Sequence, residues 1–110
     1  MSQRKKQVRQ RFREAVYTRD GFSCRGCGLA SAPESAETEL DAHHITDRNE
    51  MPKGGYVAEN GIALCDVCHE KAEAFHRGEP VPPGFAPAEL YALIGSSEVE
   101  ARAASERLAD

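Results

Sequence analysis

The chain has no tryptophan, and its other aromatic rings come from only four phenylalanines and three tyrosines. A 110-residue core so poor in large side chains is thin, and small domains with thin cores use a staple. Long apolar runs are missing too. Nothing approaches the ~18 consecutive apolar residues of a spanning helix, so no membrane contact is expected. The opening MSQRKKQVRQRFREA carries cations but no apolar h-region, and does not read as a signal peptide. A cytoplasmic, reducing compartment is the expectation, and metal binding is then favoured over disulfides for the four cysteines. No repeat of solenoid period is visible, which leaves a single domain of 12.0 kDa.

Acid is absent from residues 1–13. That stretch holds Arg4, Lys5, Lys6, Arg9, Arg11 and Arg13, six of the fourteen basic residues. The other 97 positions carry all eighteen acids, which produces the net charge of −4. A basic arm on an acidic body suits a nucleic-acid contact, because phosphates respond to local cations rather than to total charge. The competing reading is a solvated tail.

Apolar residues at Val8, Phe12, Ala15 and Val16 recur at helical spacing, so a basic amphipathic helix is predicted from about Gln7 to Asp20, stopping at Gly21. Residues 29–38 read as a polar loop. Short strands are predicted at 39–45 and 61–64, separated by a long surface loop with Pro52 and Gly54-Gly55. Residues 66–76 read as a helix closed by Gly78 and Pro80. A stiff PVPPGFAP linker follows, then a helical turn at 88–94. The last segment, 96–109, is polar nearly all round and is expected to fray or dock weakly. The boundaries are 1–20 for the basic arm and helix, 21–79 for the central domain, and 80–110 for the linker and helical tail.

Cys24-x2-Cys27 and Cys65-x2-Cys68 are two pairs separated by 37 residues, with no cysteine left over. Two such turns complete a tetrahedral shell of thiolates, which points to a structural Zn2+ that does no chemistry. Redox-active pairs and a rubredoxin-like iron are the alternatives. All four histidines lie between 43 and 76. His43 and His44 are adjacent, and His69 follows the last cysteine. On a helix Cys68, Ala72 and Phe75 share a face toward the zinc and core. His69, Ala72 or Glu73, and His76 lie about 100° round. One helix can then hold a zinc ligand and a second metal ligand pointing different ways.

The runs Asp41-Ala42-His43-His44-Ile45 and Glu59-Asn60-Gly61-Ile62-Ala63-Leu64-Cys65-Asp66-Val67-Cys68-His69 resemble the HNH endonuclease family with its ββα-metal motif. Arg19-Asp20-Gly21-Phe22-Ser23-Cys24-Arg25-Gly26-Cys27-Gly28 resembles the entry of the subgroup with a four-cysteine zinc site. The resemblance spans about residues 12–78. It implies an α+β fold: a small ββα-metal core with a zinc knuckle, here preceded by the basic helix and followed by the helical tail. It implies His43 and His69 as ligands of a catalytic divalent cation, His44 as general base, and Asn60 as the residue that holds the loop and orients the base. His76 is left as a further ligand or phosphate contact, and Arg48 and Arg77 as phosphate contacts. DNA is the implied partner, and a protein that supplies targeting is a second candidate. The implied setting is a phage, a mobile element or a bacterial cell.

Phosphodiester hydrolysis requires a deprotonated water and a stabilised leaving oxygen. An imidazole suits the first and a divalent cation the second. Imidazole ligands admit Mn2+, Co2+, Ni2+ or Zn2+ as well as Mg2+. A regular strand points His43 and His44 to opposite faces, so the strand must end or twist there. Asp41 shares the face of His43, which suits either a role in orienting that imidazole or a solvated strand carboxylate. The alternative function is a non-catalytic zinc-knuckle module that binds nucleic acid or protein, which has no use for the His pair or Asn60.

Overall fold

The computed structural model describes residues 2–108, with side chains from Lys5 onward. The Arg4 side chain lies outside the described residues. Helix α1 spans Ser2–Arg19, five residues earlier than its periodicity predicts, because its first turns are good helix formers with nothing to break them. Phe12, Val16 and Tyr17 are buried, while Lys5, Lys6, Arg9 and Arg11 are exposed. The helix stops at Gly21, as predicted, with the Phe22 amide donating to the Tyr17 carbonyl at 2.9 Å.

After the short helix α2 (Ala36–Glu39), strands β1 (Asp41–His44) and β2 (Gly61–Leu64) pair antiparallel, with Asp41 opposite Leu64 and His44 opposite Gly61. All four β2 residues are buried. The hairpin packs against α1 and against α3 (Asp66–His76). Gly61 makes the α1 contact possible. A Cβ there would stand 2.6 Å from Val16 Cγ2 and 2.7 Å from the Phe12 ring. On α3, Cys68 and Ala72 turn inward as predicted, but Phe75 is exposed and Ala74 is buried instead.

The 46–60 loop folds into three 3-10 turns, Arg48–Glu50, Pro52–Gly55 and Ala58–Asn60. Beyond the linker, α4 (Pro87–Leu93) buries Leu90 and Tyr91. Helix α5 (Glu98–Glu106) docks rather than fraying, with Ala101, Ala104 and Ser105 buried. Small residues let its backbone approach the loop closely. The loop's unpaired polar groups then find partners on the tail. Ser105 Oγ donates to the Pro52 carbonyl and accepts from the Gly55 amide. Arg102 reaches the Glu50 carbonyl at 3.0 Å. One core runs from Phe12 through β2 to Tyr91 and Ala101.

Buried Asp20 ties these layers together. Its Oδ1 accepts from Arg19 Nε at 2.7 Å and from Arg25 at 2.9 Å, and its Oδ2 accepts from the Ala63 amide at 2.9 Å. The same arginines donate to the Gly61 and Leu93 carbonyls. Removing the carboxylate strands two partly buried cations and a buried amide. Asp20→Ala is therefore expected to cost about 3–5 kcal/mol. A urea melt of the zinc-replete chain measures this, and a loss below about 1 kcal/mol would contradict the role given to Asp20.

Candidate functional site

Two clusters of metal-ligand atoms flank the start of α3. The first joins Cys24, Cys27, Cys65 and Cys68, whose sulfurs all lie within 4.8 Å of one another. A tetrahedron with metal–sulfur bonds of about 2.3 Å has edges of about 3.8 Å. The Cys27–Cys65 separation is 3.7 Å. The first knuckle aims amides at sulfur, with Gly26 N and Cys27 N 3.3 and 3.4 Å from Cys24 Sγ. A Cβ on Gly26 would meet Cys68 Sγ at 2.8 Å, so glycine lets the knuckle close on α3. Burial pushes the Cys24 thiol up, but the backbone amides of Cys65, Cys27 and Gly26 outweigh it and bring it down to about 7. Burial and the neighbouring thiols push Cys68 far up. Four thiols this close cannot all ionise without a cation between them, so the donor set fits zinc.

The second cluster lies one residue along the helix. His43, His69 and Glu73 bring one ligand atom each within 4.8 Å of the others. Glu73 Oε2 stands 3.1 Å from His43 Nδ1 and 3.2 Å from His69 Nε2. Ligands about 2.1 Å from a shared ion have edges of about 3.0 Å in an octahedron and 3.4 Å in a tetrahedron. The buried His43 Nδ1 makes no hydrogen bond of acceptable geometry despite its nearness to Glu73. Burial, then the neighbouring imidazoles, lowers His43 from 6.5 to about 3, so its lone pair is free at neutral pH. His69 Nδ1 faces Asp41 Oδ2 at 3.2 Å, which orients Nε2 toward Glu73. Asp41 thus serves His69 and not His43, because the start of β1 lies across from the first turn of α3. Glu73, which the sequence pattern leaves unassigned, lies four residues after His69 on one helical face and completes this group of potential ligand atoms.

The two histidines of the pair do turn to opposite sides, yet both line one cavity of about 270 Å³ together with Asp47, Arg48, Tyr56, His69, Glu73 and His76. The strand ends at His44, and the chain folds back over the cavity. Burial, then Arg48, lowers His44 to about 4, while Asp47 and the Gly54 backbone act against this. His76 shares a 3.0 Å hydrogen bond with the His44 carbonyl. Arg48 donates to Tyr56 Oη at 3.2 Å. Arg77 is not brought to the cavity. It pairs with Glu79 and Glu70 instead. Arg13 is drawn toward Glu37 at 3.6 Å.

Asn60 is buried behind the cavity with its amide fully used. Oδ1 accepts from the Thr46 amide and from Tyr91 Oη, and Nδ2 donates to the Thr46 and Gly55 carbonyls. With all four hydrogen bonds made and no exposure to solvent, Asn60 braces the loop from inside. Tyr91 of α4 completes the network through Thr46 Oγ1 at 2.7 Å, a partner that no local spacing announces.

Comparison with family descriptions matches residues 24–75, the stretch from the first zinc-type cysteine to the end of α3, to the HNH endonuclease family. Residues 24–75 are thus similar to an HNH domain. Helix α1 and the segment beyond residue 75 lie outside that match. Comparison with curated proteins and with solved structures finds no match. Among the described residues no helix is long and apolar enough to cross a membrane.

The depressed histidines have a measurable consequence. In the unfolded chain His44 titrates near 6.5, and in the fold near 4. The unfolded state therefore takes up the proton first as pH falls. The stability contributed is full above pH 6.5 and is lost on the way down to about 4. His44→Gln removes this group, so between pH 7.5 and 5 the variant is expected to lose about 1–2 kcal/mol less than the parent. Equal losses in parallel urea melts would contradict the buried, neutral imidazole.

Proposed function

We propose that the chain is a divalent-cation-dependent DNA endonuclease in which His44 takes the proton of the attacking water. The observation that carries this is the convergence of His43, His69 and Glu73 in one cavity with His44, apart from the four thiols. His43 Nδ1, His69 Nε2 and Glu73 Oε2 would hold the cation. When bound, it supplies electrostatic stabilisation of the scissile phosphate and of the leaving oxygen. The chain's own groups do the rest. Burial keeps His44 neutral at pH 7 and ready to accept a proton, and a substrate phosphate raises its affinity for that proton. The His76 contact and the Asn60 network hold the backbone on either side of Ile45, which fixes where the His44 ring stands. The four thiols bind zinc and keep α3 in register with the first knuckle.

Arg48 on the cavity rim is placed to meet a phosphate. Lys5, Lys6, Arg9 and Arg11 are exposed on α1, the helix whose Phe12 packs against His44, and add further cations for the phosphate backbone. This contact is independent of base sequence, so affinity falls steeply with salt.

Supercoiled plasmid is expected to be nicked or cut with Mg2+, Mn2+, Ni2+ or Zn2+ and left intact with EDTA. His44→Ala is expected to slow cleavage at least about 100-fold with zinc content unchanged. Parental cutting by that variant would remove the base assignment. A chain that retains one zinc, binds DNA and cuts under none of these conditions would be the non-catalytic zinc-knuckle module. Converting Lys5 and Lys6 to Glu is expected to weaken plasmid binding and flatten the dependence of log K on log salt by about 2. An unchanged slope would take α1 out of the interface.

A further inference from the structure

The His44 ring is boxed by two aromatic side chains from different parts of the chain. Phe12, on α1 and outside the HNH match, lies against its face, with ring centroids 4.6 Å apart and planes inclined by 31°. Tyr56, from the 46–60 loop, meets it edge-on at 4.7 Å and 87°. Phe12 and Tyr56 also touch each other edge-on at 5.6 Å, so the three rings close a triangle. These are favoured aromatic geometries, and together they restrict the imidazole to one orientation.

The restriction matters because hydrogen bonding supplies little of it beyond the contact of the ring with the Gly54 backbone. His44 Nε2 is buried without a partner among the described residues. Histidine bases are commonly aimed by a group on their second nitrogen. Here the packing of two rings takes over much of that aiming.

Tyr56 has a second end. Its hydroxyl accepts from Arg48 at 3.2 Å, and Arg9 on α1 acts on the same hydroxyl as a neighbouring cation. One side chain therefore touches the ring of His44 and gathers two guanidinium groups beside the same cavity. Both cations are exposed and free of carboxylate ion pairs among the described residues, so their remaining donors are open to an anionic ligand.

We propose that Tyr56 is a positioning residue with two separable roles. Its ring, with Phe12, fixes the imidazole of His44, and its hydroxyl holds Arg48 where a substrate phosphate arrives, with Arg9 of α1 as the neighbouring cation. This rests on the assignment of His44 as the base. Helix α1 is then part of the working site, since it supplies one wall and one cation.

The test is steady-state cleavage of a labelled duplex by the zinc-replete full chain, comparing the parent with Tyr56→Phe, Tyr56→Leu and Phe12→Leu. Tyr56→Phe keeps the ring and loses the hydroxyl. It is expected to act mainly on KM, raising it about fivefold. Tyr56→Leu is expected to raise KM equally and to lower kcat at least about tenfold further than Tyr56→Phe does. Phe12→Leu is expected to lower kcat without the rise in KM. Equal kcat for the two Tyr56 variants would overturn the role of the ring, and parental KM in Tyr56→Phe would overturn that of the hydroxyl. If Tyr56→Leu fails to fold, Phe12→Leu and Tyr56→Phe decide the two roles between them. A parent that cuts no DNA removes the nuclease reading instead. In that event the His44 imidazole NMR signals still decide whether the rings hold it. They broaden in Phe12→Leu and stay sharp in Tyr56→Phe if the box holds, and are indifferent to both if it does not.

Discussion

The four-sulfur cluster at the start of α3 is the constraint on which the site depends. Cys65 precedes the helix and Cys68 stands in its first turn, so their shared contact with Cys24 and Cys27 sets both the position and the rotation of α3. Once Cys68 faces the sulfurs, helical geometry carries His69 about 100° round, toward β1, and Glu73 one turn above it. The thiol cluster therefore decides where His69 and Glu73 stand. Binding free energy at the sulfurs becomes folding free energy in a chain whose core has few large side chains.

A second layer of control comes from parts of the chain that the HNH match leaves out. Helix α1 lies on Gly61 and brings Phe12 onto His44. Tyr91 of α4 completes the hydrogen bonds of Asn60, and Ser105 of α5 takes up polar groups of the Pro52–Gly55 turn. The 46–60 loop, which carries Arg48 and Tyr56, is thus clamped from inside by Asn60 and from outside by the tail. A long loop in a small domain keeps one shape only if its backbone polar groups find such partners.

Much of this is legible in the amino-acid order, for identifiable reasons. The boundaries of β2 and α3 follow from strong punctuation at Asn60-Gly61 and at the cysteines, and α1 ends at a glycine. The two cysteine pairs and the order of His43, His44, Asn60 and His69 carry the site's outline, because ligand chemistry allows few residue types. What stays hidden depends on pairings far apart along the chain. Asp20 meets Ala63 across 43 positions and Asn60 meets Tyr91 across 31, and no local periodicity encodes either. Docking of α5 escapes the sequence pattern because its buried face is built from alanine and serine, which a hydrophobicity profile reads as neutral. Same-face spacing on a strand gives Asp41 the wrong histidine, since it says nothing about which helical residue lies opposite.

One short helix thus carries two chemically different groups of potential cation ligands, one of sulfur and one of imidazole and carboxylate. Manganese titration of the zinc-replete chain, followed by the loss of the free-ion EPR signal, tests this most directly. The expected result is one bound Mn2+ per chain with the zinc retained, and loss of that binding in Glu73→Gln. Absence of bound manganese in the parent, or uptake only as zinc is released, would contradict it.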